Sequence, residues 1–295
     1  KLTTLDVSNW DTSSVETMEF MFWNCDGLTT LDVSGWDTSG VRNMNSIFDD
    51  CTNLTSIDVS KWDTSSVTNM NCTFYGCDGL TSLDLSGFNT SNVTDMGRIF
   101  EGCDSLMTLN LGNNFYVSNV TDMERMFWDC KALKSITGSI KLGGNNAVQN
   151  MSGMFYNCAQ LENIPFETPE SGAKFDSLSS MQEMFYGCTS LKSVDLSNWI
   201  LPNLTVLTSM FNGCEALESV NLSWKRMRAQ AEDLSLHNMF DDVPDSATLE
   251  IGSDAESKAA MEAIAAKFPG SVTVDGAPWG GADVISDLPQ PELSP

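Results

Sequence analysis

The sequence predicts a repeat solenoid. Three observations predict it: a 26-residue period, strand-like alternation in one half of the unit, and helix-like spacing in the other. Cys25, Cys51, Cys77 and Cys103 fall 26 residues apart, in step with Phe22, Phe48, Phe74 and Phe100 and with Trp10, Trp36 and Trp62. The unit reads Leu-x-x-Leu-Asp-Val/Leu-Ser-x-Trp-Asp-Thr-Ser-x-Val-x-x-Met-x-x-Met/Ile-Phe-x-x-Cys. A unit this short cannot bury its own apolar face, so neighbours stack and share a continuous core.

Leucines at one phase mark nine rungs: Leu2, Leu28, Leu54, Leu80, Leu106, Leu133, Leu161, Leu191 and Leu217. Leu5 and Val7 alternate with Thr4, Asp6 and Ser8, the period of a half-buried strand. Stacked rungs place these strands side by side as a parallel sheet. Asp11-Thr12-Ser13 are short polar residues that bond nearby backbone and turn the chain. Val15, Met18, Met21, Phe22 and Cys25 then fall three or four apart, which suits a helical or 3-10 turn on the opposite side. Nine rungs at about 4.8 Å each make a rod roughly 40 Å long. Asn113-Asn114, Gly143–Asn146 and Glu167–Lys174 are insertions of turn-forming residues, expected to bulge from one face.

The solenoid is assigned to residues 1–243, where Val243 takes the place of the ladder cysteine. Residues 244–276 read as a small α/β C-terminal cap: strand Thr248–Ile251, helix Ala259–Lys267 and strand Ser271–Asp275. Ser253 and Glu256 have capping-box spacing ahead of the helix. Residues 277–295 read as a linker or disordered tail. Lys1-Leu2 enters in mid-repeat, so the chain is expected to be a fragment or a processed product.

The formal charge is −25, from 40 acidic and 15 basic residues. Such a field repels phosphate backbones and anionic membranes, so nucleic acid is excluded as a partner and cationic partners or metal ions are favoured. No apolar run is long enough to span a membrane. His237 is the only histidine, which excludes histidine-based triads and multi-histidine metal sites. The Lys225-Arg226-Met227-Arg228 cluster reads as a solvated loop or a salt-bridge partner.

The repeated Met-Phe-x-x-Cys…Leu-Asp-Leu-Ser-x-Trp-Asp-Thr-Ser unit resembles the BspA-like leucine-rich-repeat surface proteins of bacteria, in their 26-residue branch, over residues 1–243. The resemblance implies a leucine-rich-repeat-like solenoid on a secreted or cell-surface protein used in adhesion. It implies no catalytic residues, and no cofactor is expected. Rungs six, seven and nine lose the Trp-Asp-Thr-Ser segment, which puts any surface built from it in doubt there.

Three columns carry candidate chemistry. Cys25, Cys51, Cys77, Cys103, Cys130, Cys158, Cys188 and Cys214 share one repeat position and read as a core ladder of free thiols, without the paired spacing zinc needs. Cys72 lies off that ladder and reads as a surface thiol. Asp6, Asp32, Asp58 and Asp84 should project from the sheet one above another. Like charges about 5 Å apart repel, so this column needs hydrogen bonds, a cation or a basic partner. Weak calcium binding at Asp32, Asp58 and Asp84 is one such offset. Trp23, Tyr75, Trp128, Tyr156 and Tyr186 share a column with Asp49, Glu101 and Asn212, so that column is partly exposed. Its aromatics suit sugar stacking or protein anchoring, or else packing over neighbouring rungs. The columns headed by Trp10 and by Met18 read as core.

No nucleophile, base and orienter converge outside the repeat columns, so the expected function is non-catalytic. The chain reads as an extracellular binding module, an adhesin contacting host or neighbouring-cell proteins or glycans. A rigid spacer within a larger surface protein is the alternative.

Overall fold

A backbone segment that stacks on copies of itself must send its N–H and C=O groups along the stack or back into its own turn. The fold does both, in strict alternation. The structure, a computed structural model, describes residues 2–280. In rung one the amides of Met18, Phe20, Phe22 and Asn24 donate to the carbonyls of Asn43, Asn45, Ile47 and Asp49 in rung two. The intervening amides of Met21, Trp23 and Cys25 close i→i−3 turns on Met18, Phe20 and Phe22. The same four rung-to-rung bonds recur at each of the eight junctions, ending with Leu207, Ser209, Phe211 and Gly213 on Ser235, His237, Met239 and Asp241. The expected helical spacing is thus realised as linked turns with 3-10-type bonds. A helix would need consecutive amides to bond within the rung, and here every second one is spent on the neighbour.

Two positions in each turn carry positive φ. One is filled by Phe20, Ser46, Cys72, Arg98, Arg125, Gly153, Glu183, Ser209 and Asn238. The other, just before the cysteine position, holds only Asn, Asp or Gly: Asn24, Asp50, Gly76, Gly102, Asp129, Asn157, Gly187, Gly213 and Asp242. These are the residues that tolerate left-handed backbone best.

The strand side is a set of short parallel ladders. Its first members are β1 (Thr30–Leu31), β2 (Ser56–Ile57), β3 (Ser82–Asp84), β4 (Thr108–Asn110) and β5 (Ser135–Thr137). In rung seven Pro165 takes the column and lacks an N–H to donate, and the ladder breaks there. Along the corner of the later rungs β6 (Ile140–Lys141) pairs with β7 (Phe166–Glu167), and β8 (Ala173–Lys174) belongs to a separate two-stranded ladder. The strand side resumes at β9 (Ser193–Asp195), β10 (Trp199–Ile200) pairs with β8, and β11 (Ser219–Asn221) pairs with β9.

Beyond rung nine, β12 (Thr248–Ile251) and β13 (Ser271–Val274) extend the sheet in parallel, and β14 (Ala277–Pro278) closes it antiparallel. The sheet thus continues into the stretch read as linker, and residues 281–295 of that stretch lie outside the described residues. Helix α1 (Lys258–Ala265) lies between β12 and β13. The expected Ser253–Glu256 capping box is absent. Instead Ser257 donates through N and Oγ to Asp254 Oδ2, at 3.1 and 2.9 Å, and the helix begins after Ser257.

The core is one column-built cluster. Phe22, Phe48, Phe74, Phe100, Phe127, Phe155, Phe185, Phe211 and Phe240 stack face to face at centroid distances from 5.0 to 5.9 Å. Trp36 and Trp62 are buried and stacked, while Trp10 in rung one is 47% exposed with one face on Trp36.

Candidate functional site: the turn face

The turn ladder fixes where every outward side chain of the turn stands, one rung above the next. The candidate aromatics lie in this column, and the later rungs bring three of them into contact. Trp128 stacks on Tyr156 at 3.6 Å between centroids and 4° between planes, and Tyr156 stacks on Tyr186 at 4.7 Å and 5°. Gly153 makes the room. A Cβ there would sit 2.6 Å from two carbons of the Trp128 ring, so the indole lies across a bare backbone. Arg125, three residues before Trp128, places its guanidinium 4.4 Å from the indole centroid, within cation–π range.

The strip continues towards rung four as an ion cluster. Arg125 lies 3.4 Å from Glu124 and 3.9 Å from Glu101, and Arg98 lies 3.9 Å from both glutamates. Glu101 is only 8% exposed, and its Oε2 has no hydrogen-bond partner. Burial raises its carboxyl above the ordinary glutamate range, against the opposing pull of Arg98 and Arg125. Tyr75 is half-buried, and Trp23 is 56% exposed and meets Phe20 edge-on at 5.9 Å. The structure therefore joins Trp128, Tyr156 and Tyr186 into one surface and leaves Trp23 and Tyr75 apart from it. The ion cluster has one signal in the sequence, two arginines in one repeat column, Arg98 and Arg125, three residues before Glu101 and Trp128.

The acidic column lies elsewhere, on the strand side. Ser34 donates from its N and its Oγ to Asp32 Oδ1 at 3.1 and 2.7 Å, and Asp6 with Ser8 and Asp58 with Ser60 repeat the arrangement. Asp84 accepts from Ser86 N and from Asn110 Nδ2. The serine hydrogen bonds hold the carboxyls of Asp6, Asp32 and Asp58 below the usual aspartate range, and at Asp32 they outweigh the repulsion from Asp58 and Asp6. Each carboxylate is thus engaged in its own turn. Among the described residues, no three His, Cys, Asp or Glu side chains gather as a metal site.

The cysteine column has a specific bond. Cys51 Sγ donates to the carbonyl of Phe22 at 3.2 Å, and Cys77, Cys103, Cys130, Cys158, Cys188 and Cys214 each donate to the Phe carbonyl of the preceding rung at 3.1 or 3.2 Å. All these thiols are free, Cys25 among them, and burial pushes Cys51 and Cys188 up to about 12. Cys72 is half-buried, and burial pushes it up to about 11.

Residues 1–105, 57–165 and 145–249 each match the family described as Mycoplasma protein of unknown function, DUF285. The chain belongs to the DUF285 family. Each match spans about four rungs, and together they cover regular and irregular rungs alike. No curated protein matches the chain. No helix among the described residues is long and apolar enough to cross a membrane.

Proposed function

We propose that this DUF285 chain is a non-catalytic, extracellular binding module, an adhesin that contacts a protein on a host or neighbouring cell through the turn face of rungs four to seven. The observation that carries this reading is the strip from Glu101 and Arg125 to Trp128, Tyr156 and Tyr186, mounted on a ladder that is otherwise uniform. Aromatic and arginine side chains in register on a stiff support are what protein interfaces use as anchors. The rings turn their faces to one another, so the faces within the stack are covered. That favours a protein ligand over a glycan, which would stack on an open ring face. Placement at the cell surface is supported by the resemblance to BspA-like proteins.

A spacer role is the second reading, favoured by the near-identical rungs one to four. Passing the purified chain over arrayed matrix proteins, mucins and glycans, with and without calcium, separates the two. Saturable protein binding lost in the Trp128→Ala/Tyr156→Ala/Tyr186→Ala variant, with unfolding unchanged, supports the adhesin. Unchanged affinity removes this strip, calcium dependence moves the site to Asp32, Asp58 and Asp84, and silence from the folded protein leaves the spacer.

A further inference from the structure

The turn ladder has an open end. In rungs one to eight, four amides per turn donate to four carbonyls of the next rung. In rung nine the matching amides are those of Leu236, Asn238, Phe240 and Asp242, and none has an acceptor among the described residues. The cap explains this. It extends the strand side through β12, β13 and β14, and it covers the corner where Met227 N donates to Ser257 Oγ and Arg226 N to Asp254 Oδ2. On the turn side α1 buries Ala260, Met261, Ile264 and Ala265 in the core, and Phe268 just beyond it meets Phe240 edge-on at 5.0 Å, but no carbonyl of this segment accepts from those four amides. Between the turn of rung nine and the end of α1 lies a groove of about 780 Å³. Leu234, Leu236, Phe240, Ala263 and Ala266 line it, with His237, Asp241 and Lys267 among the polar residues.

We propose that this groove docks a segment of a partner polypeptide in the same linked-turn conformation, which seats as a further layer of the turn ladder through its main-chain carbonyls. Two observations name this occupant. First, the site continues an interface the molecule has already made eight times, always with main-chain carbonyls at every second residue of a turn segment. Second, a row of four N–H dipoles presents positive charge at the spacing of alternate residues, and backbone carbonyls match it residue for residue. The apolar lining asks for small or apolar side chains on the inward positions of the segment. The proposal is independent of the turn-face strip, which lies on other rungs.

Residue-resolved amide exchange on the whole chain tests it, with a synthetic peptide of residues Gln149–Asn157 as the probe. That stretch already offers the carbonyls of Asn150, Ser152, Met154 and Tyr156 to rung five. In the free protein the amides of 236, 238, 240 and 242 should exchange fast, while those of 207, 209, 211 and 213 are protected. Millimolar peptide should slow the four by about tenfold or more. Ala266→Trp, which fills the groove from an exposed position just past the end of α1, should abolish the slowing without lowering Tm. No slowing with peptide, or slowing that survives Ala266→Trp, overturns the proposal. So does protection in the free protein: if it grows with protein concentration the occupant is a second copy, and if it does not the chain covers its own edge.

Discussion

Rungs one to four and rungs five to eight solve the same corner in different ways. In the regular rungs a buried threonine ties each corner to the next. Thr64 Oγ1 accepts from Asn89 N at 2.8 Å and donates to Asn89 O at 3.1 Å, and Thr12, Thr38 and Thr90 share its column. Asp37 with Ser39 and Asp63 with Ser65 turn the chain beside it. In the later rungs main chain replaces side chain: β6 pairs β7, β8 pairs β10, and single bridges join Tyr116 to Lys141 and Ile200 to Lys225. A ladder carried by side chains demands the same residue in every rung. A ladder carried by the backbone does not, so the outward positions are free to vary. The repeat decays where the backbone takes over, and the aromatic strip begins there.

The largest effect tests what the two halves share. Phe74→Ala and Phe155→Ala remove equivalent rings from one stack, and each should cost about 3–5 kcal/mol in denaturant unfolding. A much smaller loss at Phe155 would mean that the irregular half packs differently. Next comes the corner. Thr64→Val strands the half-buried amide of Asn89 and should cost about 1–3 kcal/mol, whereas Tyr116→Thr, at a backbone-paired corner, should shift stability by less than about 0.5 kcal/mol. Equal costs would erase the distinction drawn between the corners. Gly153→Ala, strained at positive φ and pressed on the Trp128 ring, should cost about 1–2 kcal/mol and change the Trp128 fluorescence. An unchanged spectrum would show that the indole does not lie over Gly153.

Acid gives the smallest contrast. Serine hydrogen bonds hold Asp6, Asp11, Asp32, Asp37, Asp58 and Asp63 low, all in rungs one to three. In rungs five to eight only Glu167, bonded to Ser139, is held low among the described residues. A lowered carboxyl contributes stability above its unfolded value, near pH 4, and loses it as pH falls through the folded one. Asp49 and Asp78, raised by burial, work the other way but are two against six. Rungs one to three should therefore loosen first on acidification. Indole NMR signals of Trp36 and Trp62 should shift at higher pH than that of Trp199, and the reverse order would contradict the assignment.

The solenoid, its rungs and the buried columns were legible because burial repeats with the chain. Three features were not. Spacing of three and four cannot tell a helix from linked turns, and the unread signal was the run of Asn, Asp and Gly just before each cysteine position. Thr12 shares the short polar character of its corner neighbours Asp11 and Ser13, and only the constancy of threonine at Thr12, Thr38, Thr64 and Thr90 marks a buried bridging role. The strip was legible residue by residue but not as a stack, because that depends on Gly153, a position at which no side chain signals anything.

Amide exchange along the turn ladder tests the central claim, that one ladder runs unbroken under both kinds of rung. Protection at Met44, Ser46, Phe48 and Asp50 should match that at Met151, Gly153, Phe155 and Asn157, with the corner amides differing between the halves. Protection of the turn amides that falls with each insertion would instead mean that the irregular rungs are a separate, weaker body.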